Sequence, residues 1–314
     1  MSRKVLITGG TGFVGSHLTK LLLESKDLEV HVTSFGPQTA KSLLPSVRVH
    51  QLDLSNFAAT KQLLIQLKPD QIYHLAAIAT TSNSFAQASQ IFLNNARLQL
   101  NFFQAITELK SQARILVIGS ADEYGLSQPG ELPITEEHPL RPINPYAVSK
   151  IAQDLLAYAY GQAQRLNVIR VRPFNHIGPG QLDDFAVSAF AKQIALTEIG
   201  KQTEIYVGNL QAKRDFSDVE DVVWAYQLLM EKGKTGEVYN IGSGQSVSMQ
   251  WVLDELLSLA KVKIEIKEDP ARLRPSDIPE MVADISKITE LGFTPQIPLK
   301  QSLARVLDYW REQV

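Results

Sequence analysis

A tyrosine and a lysine four residues apart are the pair in this chain whose types and spacing most directly suggest chemistry. Tyr146 and Lys150 stand in the run NPYAVSK, and on a helix residues at i and i+4 share one face. A lysine cation beside a phenol stabilises the phenolate and lowers the tyrosine pKa toward working pH. The pair therefore predicts proton transfer by Tyr146, although an ordinary surface aromatic–cation pair would show the same spacing.

A serine at the end of an apolar run adds to this pair. Ser120 follows Ala113–Gly119, which has the composition of a buried parallel strand. Sheets of parallel strands bind ligands beyond the carboxyl ends of those strands. We therefore expect the Ser120 hydroxyl to hydrogen-bond a substrate carbonyl or alkoxide, the alternative being a serine that only ends the strand. Ser120, Tyr146 and Lys150 are the predicted catalytic residues.

A glycine-rich turn between the first predicted strand and the first predicted helix indicates a dinucleotide site. Glycines 9, 12 and 15 form the pattern GxxGxxG, in which glycine permits a tight turn and close approach of the backbone to a pyrophosphate. The following helix would supply amide donors and a favourable dipole. A glycine-rich turn without a ligand is the alternative. The predicted cofactor contacts here are Gly9, Thr11, Gly12, Phe13, Val14 and Gly15.

The end of the second predicted strand bears on which nicotinamide cofactor is used. The segment 32–36, VTSFG, has neither the acid that would bind the adenosine ribose of NAD nor an arginine for a 2′-phosphate. Ser34 suits either cofactor, and the missing acid removes a repulsion, which favours NADP(H) weakly over NAD(H). Asp53 is a candidate for the adenine amino group or an ordinary turn residue. Further cofactor candidates are Leu54, Ala76, Ala77 and Pro173, together with Tyr146 and Lys150.

Strand and helix signals alternate through the first half of the chain. Predicted strands cover Lys4–Thr8, Glu29–Thr33, Val47–Gln51, Gln71–Ala76, Ala113–Gly119 and Val168–Val171. Helical spacing of apolar residues covers Phe13–Leu23, Ala58–Leu67, Gln90–Leu109 and Tyr146–Gln164. This alternation predicts an α/β fold with a doubly wound parallel Rossmann sheet and helices on both faces.

The pattern changes after Arg172, where glycine and proline cluster between Pro173 and Gly180. The later segments predict helices at Phe185–Thr197 and about Val219–Met230, strands at Glu204–Val207 and Glu237–Ile241, and a helix with Ser248 as its N-cap. We therefore predict a dinucleotide-binding domain over residues 1–172. Residues 173–314 would form mainly a smaller mixed α/β substrate lobe, with some later segments returning to the first sheet.

Composition excludes several classes of function. The chain has 314 residues and a formal net charge of −2, so we expect no nucleic-acid partner. The absence of cysteine excludes disulfides and thiolate chemistry and fits a reducing, cytoplasmic setting. Neither a signal peptide nor an apolar stretch of about 18 residues is visible, so we expect no membrane association. The six histidines lack HxxH or HxxxH spacing, so we expect no metal site.

Taken in order, these motifs resemble the extended short-chain dehydrogenase/reductase family, which acts largely on nucleotide sugars. The resemblance implies hydride exchange between a nicotinamide cofactor and a sugar carbon, with Ser120, Tyr146 and Lys150 as the triad. It also implies a homodimer formed through a bundle of two helices per subunit, and Asn94 as a cofactor or water-relay residue. The matching segments are TGGTGFVG at 8–15, LDLS at 52–55, HLAA at 74–77, Asn94, 120–125 and NPYAVSK at 144–150.

One segment separates the dehydratases of this family from its other members. Family dehydratases resemble one another in STDEVYG or STSELYG, whose threonine and acidic residues promote loss of water from C5 and C6. Aligned on Tyr-Gly, this chain has Ala121 and the shorter Asp122 at the two polar positions. A side chain shortened by one methylene withdraws a general acid or base from its proton. The departure argues against a dehydratase, and it leaves Asp122 and Glu123 as loop charges or contacts to substrate hydroxyls.

Three further segments, at 172–181, 207–222 and 272–284, resemble family reductases that act on GDP-4-keto-6-deoxy-mannose. The resemblance implies that Tyr146 protonates the C4 ketone oxygen as hydride reaches C4. The product would be GDP-D-rhamnose, or GDP-6-deoxy-talose if the sugar binds by its other face. A nucleotide-sugar 4,6-dehydratase or 4-epimerase is the first alternative. A dinucleotide-binding protein without catalysis is the second, and the presence of both Tyr146 and Lys150 disfavours it.

A GDP-sugar substrate requires cations for its diphosphate and polar groups for its base and sugar. Guanidinium forks match phosphate oxygens, so Arg214 and Arg274 are the predicted diphosphate contacts. His176 is expected to be a structural loop residue, because Tyr146 already fills the role of proton donor. Each of the other candidates is equally explained as an ordinary salt bridge or cap. These other predicted substrate contacts are Asp122, Glu123, Asn175, Lys192 and Asp277.

Overall fold

The computed structural model describes residues 2–36, 47–79, 84–272 and 278–314. Its strands are β1 (Arg3–Thr8), β2 (Leu28–Ser34), β3 (Arg48–Gln51), β4 (Gln71–His74), β5 (Arg114–Ile118), β6 (Asn167–Pro173), β7 (Asn175–Ile177), β8 (Glu204–Val207), β9 (Lys213–Asp218), β10 (Val238–Ile241), β11 (Ser246–Ser248), β12 (Glu265–Glu268) and β13 (Glu280–Met281). Its helices are α1 (Phe13–Leu23), α2 (Phe57–Leu67), α3 (Ala88–Glu108), α4 (Pro145–Gln164), α5 (Ala186–Glu198), α6 (Val219–Lys232), α7 (Met249–Ser258), α8 (Ser286–Thr289) and α9 (Leu299–Gln313).

Seven parallel strands form the main sheet in the order β10-β6-β5-β4-β1-β2-β3. The order changes direction between β1 and β4, which is where a doubly wound sheet opens a ligand crevice at its carboxyl edge. The predicted Rossmann sheet is therefore confirmed.

Both faces of this sheet are buried, because successive residues of each strand point to opposite sides. Val5 and Ile7 face a core built with α1 and α6, whereas Leu6 faces a core built with α2, α3 and α4. All three side chains are fully buried. Burying a side chain of this kind contributes about 1.5–3 kcal/mol. Packing on both faces thus fixes the carboxyl edge on which the site is built.

The second lobe is built around β9. Strands β7 and β13 pair with β9 in parallel and β11 pairs with it antiparallel, while β8 and β12 form a separate parallel pair. Helices α5, α7 and α9 enclose its apolar core, which includes Ile194, Leu253 and Leu307. Among the described residues, no helix is long and apolar enough to cross a membrane.

Sequence patterns predict most of the longer elements within a few residues and miss several others, among them the 15-residue helix α9 and the six-residue strand β9. The Ser248 cap is confirmed, since its hydroxyl oxygen accepts the Trp251 N–H at 3.1 Å. The strands β7, β9, β11, β12 and β13 and the helices α8 and α9 were not predicted. Most of these strands have two to four residues, too few for a period to show, and every residue of β12 is exposed. The predicted helix at about 219–230 does return to the main sheet as α6, and β10 is the edge strand of that sheet.

A small apolar cluster joins the two lobes next to the carboxyl end of β5. It packs Tyr124 against Phe174 and Met281, which come from segments far apart in sequence. The Tyr124 hydroxyl donates to Asn240 Oδ1 at 2.6 Å, so the cluster also contacts the edge strand β10. This packing holds the turn that carries Ser120.

Candidate active site

The glycine turn after β1 has the geometry that a dinucleotide requires. Gly9 has a φ of +69°, a conformation that favours glycine, and a Cβ there would lie 3.1 Å from Ala76 Cα. A Cβ on Gly15 would lie 2.3 Å from the Gly9 carbonyl oxygen, so helix and turn are in direct backbone contact. Gly12 precedes the first residue of α1 and has no side chain with which to cap it. The free amide end of α1 therefore suits a pyrophosphate.

Other cofactor candidates lie around the same edge. The Thr11 hydroxyl donates to Ser34 Oγ at 3.4 Å, so the turn and the end of β2 are in contact. Asp53 Oδ1 accepts the Ser55 N–H at 2.8 Å. This contact is that of an ordinary turn residue, the alternative to a contact with the adenine amino group. Leu54, Ala76, Ala77 and Pro173 follow or end strands β3, β4 and β6, and their cofactor contacts stay predictions.

The asparagine that the structure ties to this edge is Asn95 rather than its neighbour. Asn95 is fully buried, accepts the Ile78 N–H at 2.8 Å and donates to Ser149 Oγ at 3.0 Å, which connects the end of β4 to α4. Asn94 is half-buried and donates to Asn95 Oδ1 at 3.2 Å. Sequence reasoning missed Asn95. The role predicted for Asn94 stays a prediction.

Helix α4 places Tyr146 and Lys150 at the carboxyl end of β5. The helix begins one residue before Tyr146, where Asn144 Oδ1 accepts the Ala147 N–H at 2.8 Å and Pro145 occupies the first turn. Tyr146 is 9% exposed and Lys150 is 4% exposed, so an ordinary surface pair is excluded. The face of α4 that carries both Tyr146 and Lys150 is therefore directed into the protein.

Ser120 and Tyr146 interact directly. The expected lowering of the Tyr146 pKa by Lys150 is not what the structure gives: burial and the nearby Asp122 carboxylate raise it, while a hydrogen bond with the Ser120 side chain works to lower it. Ser120 Oγ also accepts the Asp122 N–H at 3.2 Å, which caps the 3-10 turn at Ala121–Glu123. The structure thus brings the serine and the phenol together, and Asp122 lies close to both.

Lys150 is held by two acceptors inside the protein. Its Nζ donates to the Ile118 carbonyl at 2.5 Å and to Gln153 Oε1 at 2.9 Å. Burial lowers the pKa of Lys150 to about 8, and the Glu123 and Asp154 carboxylates oppose that shift. The lysine is therefore a fixed ammonium whose charge depends on buried carboxylates.

The prediction that Glu123 contacts substrate hydroxyls is wrong. Its side chain is fully buried, and its two oxygens accept the Ser120 N–H at 2.7 Å and the Arg172 Nε–H at 3.1 Å. A carboxylate enclosed in this way has no surface left for a ligand. Asp122 is half-buried beside Tyr146, and its contact with substrate stays a prediction.

The predicted substrate contacts of the second lobe are spread over several elements. Lys192 Nζ donates to Asp183 at 2.7 Å, and both residues line a cleft of about 260 Å³ between α5 and β8. Arg272, which sequence reasoning did not select, lines the same cleft. Arg214 lies on β9 and donates to the Ile278 carbonyl at 2.6 Å. Asn175 is exposed at the start of β7, and Arg274 and Asp277 lie outside the described residues.

His176 has the structural role expected of it. Its Nδ1 donates to the Phe174 carbonyl at 2.9 Å, and its ring stacks on Phe13 with 6.1 Å between centroids. It lies in the short strand β7 rather than in a loop, and β7 is thereby packed on the start of α1. Within the described ranges, no three histidine or acidic side chains converge as a metal site would require.

A parallel Rossmann sheet, a glycine turn after its first strand and a Ser-Tyr-Lys set with a buried tyrosine and lysine define the architecture of an extended short-chain dehydrogenase/reductase. The chain belongs to the family described as GDP-mannose 4,6 dehydratase, whose model matches residues 6–306. This result confirms the family resemblance seen in the motifs.

Similarity to individual proteins extends over the whole chain. It is 35% identical to the GDP-6-deoxy-D-mannose reductase of Pseudomonas aeruginosa, covering 100% of this chain and 99% of that protein. It is 31% identical to the GDP-6-deoxy-D-talose 4-dehydrogenase of Aggregatibacter actinomycetemcomitans, covering 91% and 90%. The solved structure of RMD from Pseudomonas aeruginosa complexed with NADPH is similar with a TM-score of 0.86 at 33% identity, covering 100% of both chains.

Proposed function

We propose that this protein is an NAD(P)H-dependent reductase that adds hydride to C4 of a GDP-4-keto-6-deoxy-hexose and forms GDP-D-rhamnose. The observation that carries the proposal is the buried Tyr146 phenol, hydrogen-bonded by Ser120, on the helix face that it shares with the buried Lys150 at the ligand edge of the sheet. The full-length similarity to the Pseudomonas aeruginosa reductase supports the choice of substrate.

The residues of this chain would manage the proton at C4. When bound, the reduced nicotinamide supplies the hydride that C4 receives. Tyr146 would donate its proton to the ketone oxygen, and the Ser120 hydroxyl would donate a hydrogen bond to the same oxygen. Burial raises the pKa of Tyr146, which keeps the phenol protonated as a reduction requires. The Lys150 ammonium would stabilise the phenolate that remains.

We propose that residues 1–172 bind mainly the dinucleotide and that residues 173–314 bind mainly the GDP moiety. The cleft between α5 and β8 supports this division, because Lys192 and Arg272 supply cations and Asp183 supplies an acceptor beside them.

We propose a reducing, cytoplasmic setting for this protein, with which the absence of cysteine is consistent.

Purified protein given NADPH and a GDP-4-keto-6-deoxy-mannose should oxidise the cofactor. The loss of the near-ultraviolet absorbance of NADPH measures this reaction. NMR of the product gives the configuration at C4, and GDP-6-deoxy-talose is the second candidate because of the Aggregatibacter relative. A 4,6-dehydratase or 4-epimerase would instead form product without consuming added reductant. That outcome would overturn the reductase proposal.

We further propose a preference for NADPH over NADH, since the end of β2 carries Ser34 and no acid. Changing Ser34 to aspartate should weaken NADPH binding by about tenfold or more, because a carboxylate there repels a 2′-phosphate. NADH binding should change much less. Fluorescence titration of both cofactors into both proteins measures this, and equal losses for NADH and NADPH would contradict it.

We also propose a homodimer formed through α3 and α4. These helices expose apolar side chains that a monomer leaves in water, including Phe92 and Leu93 on α3 and Val148 and Leu155 on α4. Leu93→Glu should convert the dimer to a monomer in light scattering, because a charge would then lie at the packed interface. Ile65→Glu on α2, a site that is also exposed, is the control and should stay dimeric. A monomeric wild-type protein would refute the interface.

A further inference from the structure

The turn that carries Ser120 rests on a buried carboxylate. Glu123 Oε1 accepts the Ser120 N–H at 2.7 Å, and a Cβ on Gly119 would lie 2.4 Å from that oxygen. The carboxylate is thus packed directly against the backbone at the end of β5. Its position fixes the backbone that carries the Ser120 side chain.

The second oxygen of this carboxylate starts an ion-pair chain to α4. Glu123 Oε2 accepts from Arg172 Nε at 3.1 Å, and the other end of the guanidinium donates to Asp154 Oδ2 at 2.7 Å. Asp154 lies four residues after Lys150, on the same face of α4. The chain therefore links the strand end that carries Ser120 to the helix that carries Tyr146 and Lys150.

Every member of this chain is buried. Glu123 is 0% exposed, Asp154 is 1% exposed and Arg172 is 4% exposed. Buried ion pairs add little net stability, since their desolvation offsets their attraction. A role in positioning and charge is therefore a better account of this cluster than a role in stability alone.

We propose that Glu123, Arg172 and Asp154 are positioning residues: they hold Ser120 and Lys150 in fixed relation and keep the Lys150 ammonium charged. None of them touches substrate in this scheme. The inference rests on the proposed function only in assigning the reacting groups.

The charged and titratable groups around Lys150 come from several elements. Both Glu123 and Asp154 raise the pKa of Lys150, against burial, which lowers it to about 8. Burial and the Asp154 carboxylate in turn raise the pKa of Glu123 to about 8, against the Arg172 guanidinium and the Ser120 N–H, so Glu123 carries its negative charge on the alkaline limb where Lys150 titrates. Removing either negative charge should therefore lower the pH at which Lys150 loses its proton. Glu123 also raises the pKa of Tyr146, so its removal moves loss of the phenolic proton to lower pH as well. The other groups facing this cluster are Arg170 and Arg172 on β6, His74 on β4, and Asp122 and Tyr124 in the turn after β5.

The kinetic experiment compares Glu123→Gln with a matched buried carboxylate outside the site. Glutamine keeps the shape of Glu123 but presents an amide where the carboxylate accepted two donors. We expect kcat to fall by about 10- to 100-fold with KM nearly unchanged. The alkaline limb of kcat should move down by about one pH unit, since reduction requires both Tyr146 and Lys150 protonated. The control is Asp221→Asn on α6. Asp221 accepts the backbone N–H groups of Gln296 and Ile297, and its substitution should leave both kcat and the pH of the alkaline limb unchanged.

A second measurement does not depend on turnover. The ζ-15N resonance of Lys150, identified by its absence in Lys150→Met, should titrate about one pH unit lower in both Glu123→Gln and Asp154→Asn. Amide exchange at Ser120 should accelerate in Glu123→Gln and change little in Asp154→Asn, which leaves that hydrogen bond intact. Unchanged titration of Lys150 in both variants would overturn the proposal, as would a loss of kcat no larger than that of Asp221→Asn. A wild-type protein inactive on the 4-keto sugar would refute the proposed substrate alone, because the lysine titration still decides this inference.

Discussion

Replacing Tyr146 by phenylalanine should lower kcat for the 4-keto sugar by about 100- to 10,000-fold, the range typical of a lost general acid. The ring stays, so packing at the start of α4 is retained, but the phenolic proton held beside Ser120 is gone. Affinity for GDP and NADPH should change by less than about threefold, since the phenol acts in the transition state rather than in ground-state binding. Steady-state kinetics and calorimetric titration of GDP and NADPH measure the two effects separately.

The matched control for this substitution is Tyr160→Phe on the same helix. Tyr160 packs on Phe103, with 5.1 Å between ring centroids, through its ring rather than its hydroxyl. Its kcat should equal that of the wild type. Full activity in Tyr146→Phe would show that another group protonates the C4 oxygen.

The second large effect is expected at the cofactor turn. Alanine at Gly15 would place a Cβ 2.3 Å from the Gly9 carbonyl oxygen and 2.7 Å from Gly10 Cα, and both are backbone atoms that cannot move aside independently. The turn must open, which displaces the amides that face the pyrophosphate. We expect NADPH affinity to fall by more than about 100-fold, or about 2.7 kcal/mol, together with a lower Tm.

Gly161→Ala provides the comparison for this glycine. Gly161 also lies within a helix, but a Cβ there would meet its nearest atoms at 3.8 and 4.0 Å, an ordinary contact. Alanine should stabilise α4 by about 0.5–1 kcal/mol and leave cofactor binding unchanged. Fluorescence titration and thermal unfolding of both variants test the pair, and normal NADPH binding by Gly15→Ala would contradict the role of the turn.

Local patterns explain which parts of this site the sequence predicts. The glycine spacing at 9–15 and the i, i+4 pair at Tyr146 and Lys150 each lie within one turn or helix, so their geometry follows from adjacent residues. Ser248 was predicted as a cap for the same reason, because it bonds an amide three residues away.

The parts that were missed depend on distant partners. From the sequence alone, Glu123 is interpreted as a charged loop residue. Only folding brings Arg172, 49 residues later, against its carboxylate. The choice between Asn94 and Asn95 depends on the rotation of α3 relative to α4, which one helix cannot reveal. Short strands such as β7 and β13 exist because each of them pairs with β9, and their own residues carry no periodic signal.

The return of α6 and β10 to the main sheet also limits how this protein can fold and be divided. A fragment ending near residue 172 would lack Val222, Tyr226 and Leu229, which cover one face of the sheet, and would leave β6 as an open edge. During synthesis, the main sheet cannot be completed until β10, which ends at residue 241, has been made. Much of the second lobe is therefore synthesised before the main sheet is complete. The two halves are therefore interlocked along the chain, and we expect neither to be obtained as a stable fragment by cutting between them.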